Sequence, residues 1–280
     1  DAMPRLVEGC EVSSRLRPDL ASRWGMRAAV VAGGAGDNAA AAIGMGTVHD
    51  GAAFASLGTS GVLFAANDAY RPDPESAVHA FCHALPNTWH QMGVILSATD
   101  ALNWFAGIVG QPAAALTAGV GSDTSNDPLF LPYLAGERTP HNDATIRGSF
   151  IGLDHGHDRA AMTRAVLEGV AFALADCRGA LEQAGTTLTR VTAVGGGAAS
   201  ADWLQIVADA LRLPVDVPAE GEFGAAFGAA RLGLMAATGA TVASVCTMPA
   251  IGRTVEPKRN NSERYEHFRT LYGILKEQQN

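Results

Sequence analysis

Asp37 and Asn38 stand where this chain changes character. The apolar run Ala28-Ala29-Val30-Val31-Ala32 ends in Gly33-Gly34-Ala35-Gly36, and behind the Asp-Asn pair comes the alanine-rich stretch 39–46. A short apolar run reads as a buried strand and an alanine-rich stretch as a helix, so the order is strand, glycine turn, helix. A carboxylate at the C-terminal end of a strand in an open α/β sheet faces the crevice where such sheets bind ligands, and there it accepts a proton from a hydroxyl. Asn38 adds one donor and one acceptor, which recognition of sugar hydroxyls requires. The plainer role for Asp37 is that of an N-cap. Two more apolar runs end alike: Ala52 to Leu57 stops at Gly58-Thr59-Ser60-Gly61, and Val191 to Val194 stops at Gly195-Gly196-Gly197-Ala198. Unpaired amides at helix starts and glycines that let backbone approach an anion suit phosphate. One such turn does no more than permit a tight bend, but three together point to a phosphorylated ligand.

Other chemistries fit less well. Gly34-Ala35-Gly36-Asp37-Asn38-Ala39 satisfies G-x-G-x-x-A, but no acid ends the next strand to hold a ribose, and Asp37 would set a carboxylate against the pyrophosphate. His79, Cys82 and His83 lack a third ligand at metal spacing, so packing is their expected role. His155 and His157 flank Gly156 before a helix and read as solvent-facing. Gly58-Thr59-Ser60-Gly61 is not G-x-S-x-G and joins two strands, which argues against a serine hydrolase.

The elements that must position these turns are legible as an alternation. The 58–61 turn joins two strands, Trp89–Ser97 reads as a strand leading into helix 99–109, and 110–128 holds little structure. Helical spacing from Met162 to Ala173 predicts one long amphipathic helix over 157–184, packed on a sheet. A helix follows at 201–211, a strand at Pro214–Pro218 and a small-residue helix at Gly224–Ala237. Strands alternating with helices, together with one hairpin, predict an α/β domain with a mixed sheet. Of 280 residues 48% are hydrophobic and 17% charged, which excludes a disordered chain, and the 32 glycines follow no collagen period. The net charge of −8 and the lack of a basic run exclude nucleic acid as the expected partner. Four scattered cysteines without a Cys-x-x-Cys pair fit a reducing compartment. No signal-peptide pattern opens the chain and no apolar stretch reaches ~18 residues, so a soluble cytoplasmic protein without a membrane partner is expected.

The strings GGAGDNAAAAIG (33–44), SLGTSGV (56–62), ESAVHAFCHALP (75–86), FLPYLAGERTPHN (130–142), RAVLEGVAFAL (164–174) and GGGAASADWLQIVAD (195–209), in this order, resemble the FGGY carbohydrate kinase family. The resemblance implies a ribonuclease-H-like, actin-like ATPase domain with a mixed five-stranded sheet and flanking helices. It also implies ATP-dependent phosphorylation, with Mg2+, of a ketose hydroxyl. D-xylulose is the expected substrate, ahead of glycerol, gluconate or ribulose. By position Asp37 matches the catalytic base and Asn38 its sugar-binding neighbour. Gly58, Thr59 and Ser60 match a phosphate loop, Gly196, Gly197 and Ala198 the adenosine motif, and Asn103 a polar residue near the adenine. No metal ligand is assigned within this chain. Ala201 stands where many relatives place an asparagine, which puts one nucleotide contact in doubt.

The resemblance reaches only the C-terminal half of such kinases. Residues 1–27 read as a lead-in from an N-terminal domain, 28–256 as the nucleotide-binding domain and 257–280 as a helical tail. The N-terminal kinase domain is then the expected partner, and no Asp-x-Gly-Thr phosphate turn occurs in this chain. Half a cleft cannot exclude water, so little kinase activity is expected from these residues alone. Apolar surface left open would favour self-association, a homodimer being the simplest form. The rival reading is a non-catalytic nucleotide-binding module, which would have no use for Asp37.

Overall fold

The computed structural model describes residues 3–27, 29–220 and 224–279. The chain opens with β1 (Val12–Arg15), α1 (Pro18–Arg23) and β2 (Val30–Ala32), then α2 (Asp37–Met45), β3 (Ala53–Leu57), β4 (Gly61–Asn67), β5 (His79–Cys82) and β6 (Trp89–Ile95). Next come α3 (Thr99–Val109), α4 (Ala113–Thr117), β7 (Leu129–Leu131), β8 (Ser149–Ile151) and the long α5 (Arg159–Gln183). The last part holds β9 (Val191–Val194), a 3-10 turn at Gly196–Ala199, α6 (Ala201–Leu211), β10 (Val215–Pro218), α7 (Ala225–Thr238), α8 (Val242–Val245), β11 (Ile251–Val255) and α9 (Ser262–Gln279).

The main sheet has seven strands in the order β11-β10-β9-β3-β4-β6-β5. It is mixed as expected: β9 runs parallel to β3 and to β10, and the other pairings are antiparallel. The expected count of five strands is corrected. The edge strands β5 and β11 are largely exposed and carry no apolar run, so nothing in their composition marks them as strands. Along β3 and β4 the side chains alternate between two cores. Ala53, Ala55, Leu57, Leu63 and Ala65 join the core formed with α5 and α6, whereas Phe54, Val62, Phe64 and Ala66 face Ala42 of α2 on the other side.

Helix α2 is pressed against α7. A Cβ on Gly228 would lie 1.7 Å from the Ala40 carbonyl oxygen, so only glycine allows this crossing. The Arg231 guanidinium donates to the Ile43 and Gly44 carbonyls at 2.8 and 2.9 Å, fastening the C-terminal end of α2.

Three other expectations change. The strand before Asp37 is not buried in the main sheet: β2 pairs with β1 in a separate two-stranded ribbon, and Val31 is 44% exposed. The first residue of the expected run, Ala28, lies outside the described residues. The first 27 residues are not merely loop, since they supply α1 and β1. Helix α5 is not amphipathic but buried on nearly every side, including Glu168 and Asp176. Those two acids draw in their surroundings: Arg264 of α9 pairs with Glu168 at 2.5 Å, the Thr124 hydroxyl donates to Glu168, and the Tyr265 hydroxyl donates to Asp176 at 2.6 Å. The polar tail therefore docks, with Phe268 fully buried.

Candidate active site

The Gly58–Ser60 turn is held from behind. The Gly58 carbonyl accepts from the Thr99 amide and hydroxyl, each at 2.9 Å, and the Thr59 carbonyl accepts from the Ala98 amide at 2.9 Å and the Asp100 amide at 3.2 Å. These donors are the start of α3, so its free amides serve the turn and not a ligand. The amides of Thr59 and Ser60 make no hydrogen bond among the described residues, and both residues are exposed. Such unpaired donors on a turn suit an anion.

The Gly195–Ala198 turn abuts this one because β9 lies beside β3, with Val194 opposite Ser56. Gly195 has φ +88°, and a Cβ on it would lie 2.8 Å from the Leu57 carbonyl and 3.1 Å from the Gly58 amide nitrogen. Gly197 has its own constraint, since a Cβ there would meet Leu57 at 2.7 Å and the Trp203 ring at 2.9 Å. Two glycines thus let the two turns touch. Beyond them opens a cleft of 610 Å3, lined by α3, α4, the 3-10 turn and the start of α6. This is the size of an ordinary small-molecule site.

The sequence-predicted residues divide among these features. Asn103, Gly196 and Gly197 line the cleft, as does Ala201. Gly58, Thr59, Ser60 and Ala198 do not line it, although the Gly58 turn touches Gly195. Asp37 and Asn38 sit apart from the cleft lining at the start of α2. Asp37 does not cap that helix, because Gly36 takes the cap position. It is exposed, and its Oδ1 accepts from the Asn38 amide at 2.8 Å and, at 3.4 Å, from the Asn38 side chain. Its Oδ2 makes no hydrogen bond among the described residues. Sequence reasoning missed Thr99, Trp203 and Asp202. The first two are visible only once the turn and the helix are seen in contact, whereas Asp202, an acid in the first turn of a predicted helix, was open to suspicion.

The histidine readings are mostly plain packing. Among the described residues no group of three possible metal ligands exists. His83 is buried, its Nε2 lies 3.2 Å from the Thr47 carbonyl and its Nδ1 accepts from the Ala84 amide, and burial pushes its pKa down to about 4. His155 is exposed as expected. His157 is not solvent-facing: its Nδ1 accepts from the Asp154 amide and its Nε2 lies 2.9 Å from the Asn126 carbonyl.

Glu137 supports the same end of the sheet. It is 3% exposed, and its Oε1 accepts from the Leu96 amide at 2.9 Å and the Arg138 amide at 2.8 Å, while Oε2 has no partner. Burial raises its pKa from 4.5 to about 7, outweighing the two amides. A carboxyl whose pKa rises on folding stabilises fully below its unfolded value and loses that contribution as pH climbs through the folded one. Wild type should therefore lose up to about 3 kcal/mol relative to Glu137→Gln between pH 4.5 and somewhat above 7. Urea midpoints of both proteins across that range check this. Asp176, raised by burial to about 6, acts in the same direction in both proteins, and its charge also adds to the rise at Glu137, so the difference contains the interaction of the two carboxyls.

Comparison with known proteins completes the description. Residues 53–237 match the FGGY family of carbohydrate kinases, C-terminal domain. The xylulose kinase of Escherichia coli K12 is 48% identical over 240 residues, covering 85% of this chain and 50% of that protein. A xylulose kinase of Staphylococcus epidermidis is 37% identical over 295 residues, covering 99% and 57% respectively. The crystal structure of a xyloylose kinase from Brucella ovis superposes with a TM-score of 0.95 at 58% identity, over 98% of this chain and 58% of that one. The chain thus spans about half the length of the curated relatives it matches. With its mixed sheet, paired glycine turns and matched residues, the chain belongs to the FGGY family of carbohydrate kinases.

Proposed function

We propose that the protein carrying this chain transfers the γ-phosphoryl group of ATP to a hydroxyl of D-xylulose, giving xylulose 5-phosphate and ADP. The observation that carries the proposal is the contact of the two glycine turns, Gly195 against Leu57 and Gly58, at the mouth of a nucleotide-sized cleft. The similarity to xylulose kinases supports the choice of sugar. In this reading Gly196, Gly197, Ala198 and Asn103 hold the nucleoside, and the amides at Gly58, Thr59 and Ser60 hold phosphate oxygens. Asn38 binds the sugar, and Asp37 takes the hydroxyl proton as that oxygen bonds to phosphorus and the bond to the ADP oxygen breaks. Positioning and fixed dipoles supply most of the catalysis in such a transfer.

A magnesium ion would arrive as part of the nucleotide substrate and neutralise phosphate charge there. An N-terminal domain closes the other side of the cleft in this proposal, consistent with the half-length match to relatives. Exposed Trp24, Met26 and Val31 give a homodimer an apolar surface to use, and the cytoplasm is the proposed compartment. Among the described residues no helix is long and apolar enough to cross a membrane. A coupled assay of ADP release on the two-domain protein with D-xylulose, D-ribulose, gluconate and glycerol tests the proposal. D-xylulose should give the highest kcat/KM, and a preference for any other member of the panel would refute the substrate assignment.

A further inference from the structure

We propose that Asp202 takes the ribose hydroxyls of the nucleotide, so that the cleft distinguishes ribonucleotides from 2′-deoxyribonucleotides. This deepens the nucleotide reading above and rests on it. Most polar side chains of the cleft are already engaged. The Thr99 hydroxyl donates to the Gly58 carbonyl at 2.9 Å, the Thr117 hydroxyl to the Ala113 carbonyl at 3.3 Å, and the Ser200 hydroxyl accepts from the Trp203 amide at 3.2 Å. Asn103 and one oxygen of Asp202 are left. Oδ2 of Asp202 accepts from the Gly121 amide at 3.0 Å, which fixes the carboxylate, and Oδ1 has no hydrogen bond or ion pair among the described residues. Arg253 and Lys258 line the adjoining hollow, yet neither comes within ion-pair distance of it.

A carboxylate only accepts, so its complement must be a donor, and it repels phosphate. A nucleotide offers two kinds of donor, the ribose hydroxyls and the exocyclic amine of the base. Asp202 lies in the first turn of α6, directly after the Gly196–Ala199 turn that holds the nucleoside in this reading. Asn103 across the cleft suits the base, so the group left for Asp202 is the other donor of the nucleoside. That group is the ribose. An acid holding ribose hydroxyls beside a glycine turn is an established solution on other nucleotide folds. Asn103, with a donor and an acceptor on one side chain, suits the base edge.

Calorimetric titration of the two-domain protein with ATP, 2′-deoxy-ATP and ITP tests this in wild type, Asp202→Ala and Asp202→Asn. Wild type should bind 2′-deoxy-ATP about 10- to 100-fold more weakly than ATP, the range for losing a hydrogen bond to a charged group. In Asp202→Ala the ratio should fall to about one. Asp202→Asn keeps an acceptor for the Gly121 amide and should leave a reduced ratio, and it carries the test where the alanine variant does not fold. A purely structural role through Gly121 would weaken both nucleotides alike and leave the ratio unchanged, which would overturn the proposal. Equal binding of ATP and 2′-deoxy-ATP by wild type would do so too, as would discrimination against ITP in place of the deoxy form. If ATP itself gives no binding, the nucleotide reading fails and this inference with it, an outcome distinct from binding without discrimination.

Discussion

Asp37→Ala should lower turnover of D-xylulose and ATP by the two-domain protein roughly 10²–10⁴-fold, the usual contribution of a positioned base. The KM for ATP should change little, because Asp37 lies outside the cleft proposed to hold the nucleoside. The isosteric Asp37→Asn variant sharpens the test. Its side-chain oxygen can still accept from the Asn38 amide, which in wild type donates to Asp37 at 2.8 Å, and Gly36 remains the helix cap. The start of α2 is therefore preserved while the capacity to hold a proton is lost. Both variants should fall together in kcat. Near-normal turnover in either would remove Asp37 from the mechanism, and a matching fall in thermal stability would assign it a structural role.

Trp203→Ala should be the most damaging substitution for stability, at about 3–5 kcal/mol. The side chain is 1% exposed, its Nε1 donates to the Leu167 carbonyl of α5 at 3.1 Å, and its ring lies beneath Gly197. Removing it opens a cavity between α5 and α6 and takes the floor from the Gly196–Ala199 turn. A shift of that size in the urea unfolding midpoint, with the slope unchanged, would bear this out, and weaker ATP binding by the folded fraction should accompany it. Trp203→Phe fills most of the volume and should cost less than half as much. A midpoint within experimental scatter of wild type for the alanine variant would contradict this account of the turn.

Much of the architecture was legible because burial repeats along the chain. The runs 52–57 and 191–194 are apolar because β3 and β9 are covered on both faces, and the glycines after them stand where backbone meets backbone. What escaped was whatever does not advertise itself by burial. Strands β5 and β11 are edges, half in solvent, and pair through main-chain groups that every residue carries. Helix α5 was misread for the opposite reason: Glu168 and Asp176 count as polar in any periodicity, yet Arg264, Thr124 and Tyr265 arrive from distant segments to satisfy them. Val30–Ala32 looks like a core strand in composition and lies in a peripheral ribbon, because an apolar run states that cover is needed and not which surface provides it.

The order of residues alone determined the glycine turns, the Asp37-Asn38 pair behind one of them and the family to which they belong, since these depend on residue types at short spacing. Only the tertiary structure decided that the Gly58 and Gly195 turns touch, that α3 binds the carbonyls of the first, and that Asp202 lines the cleft with one oxygen held by the distant Gly121 amide. Contacts between residues more than a hundred positions apart are set by which strands lie side by side. That neighbour choice minimises exposed apolar area over the whole chain at once, so no local stretch encodes it.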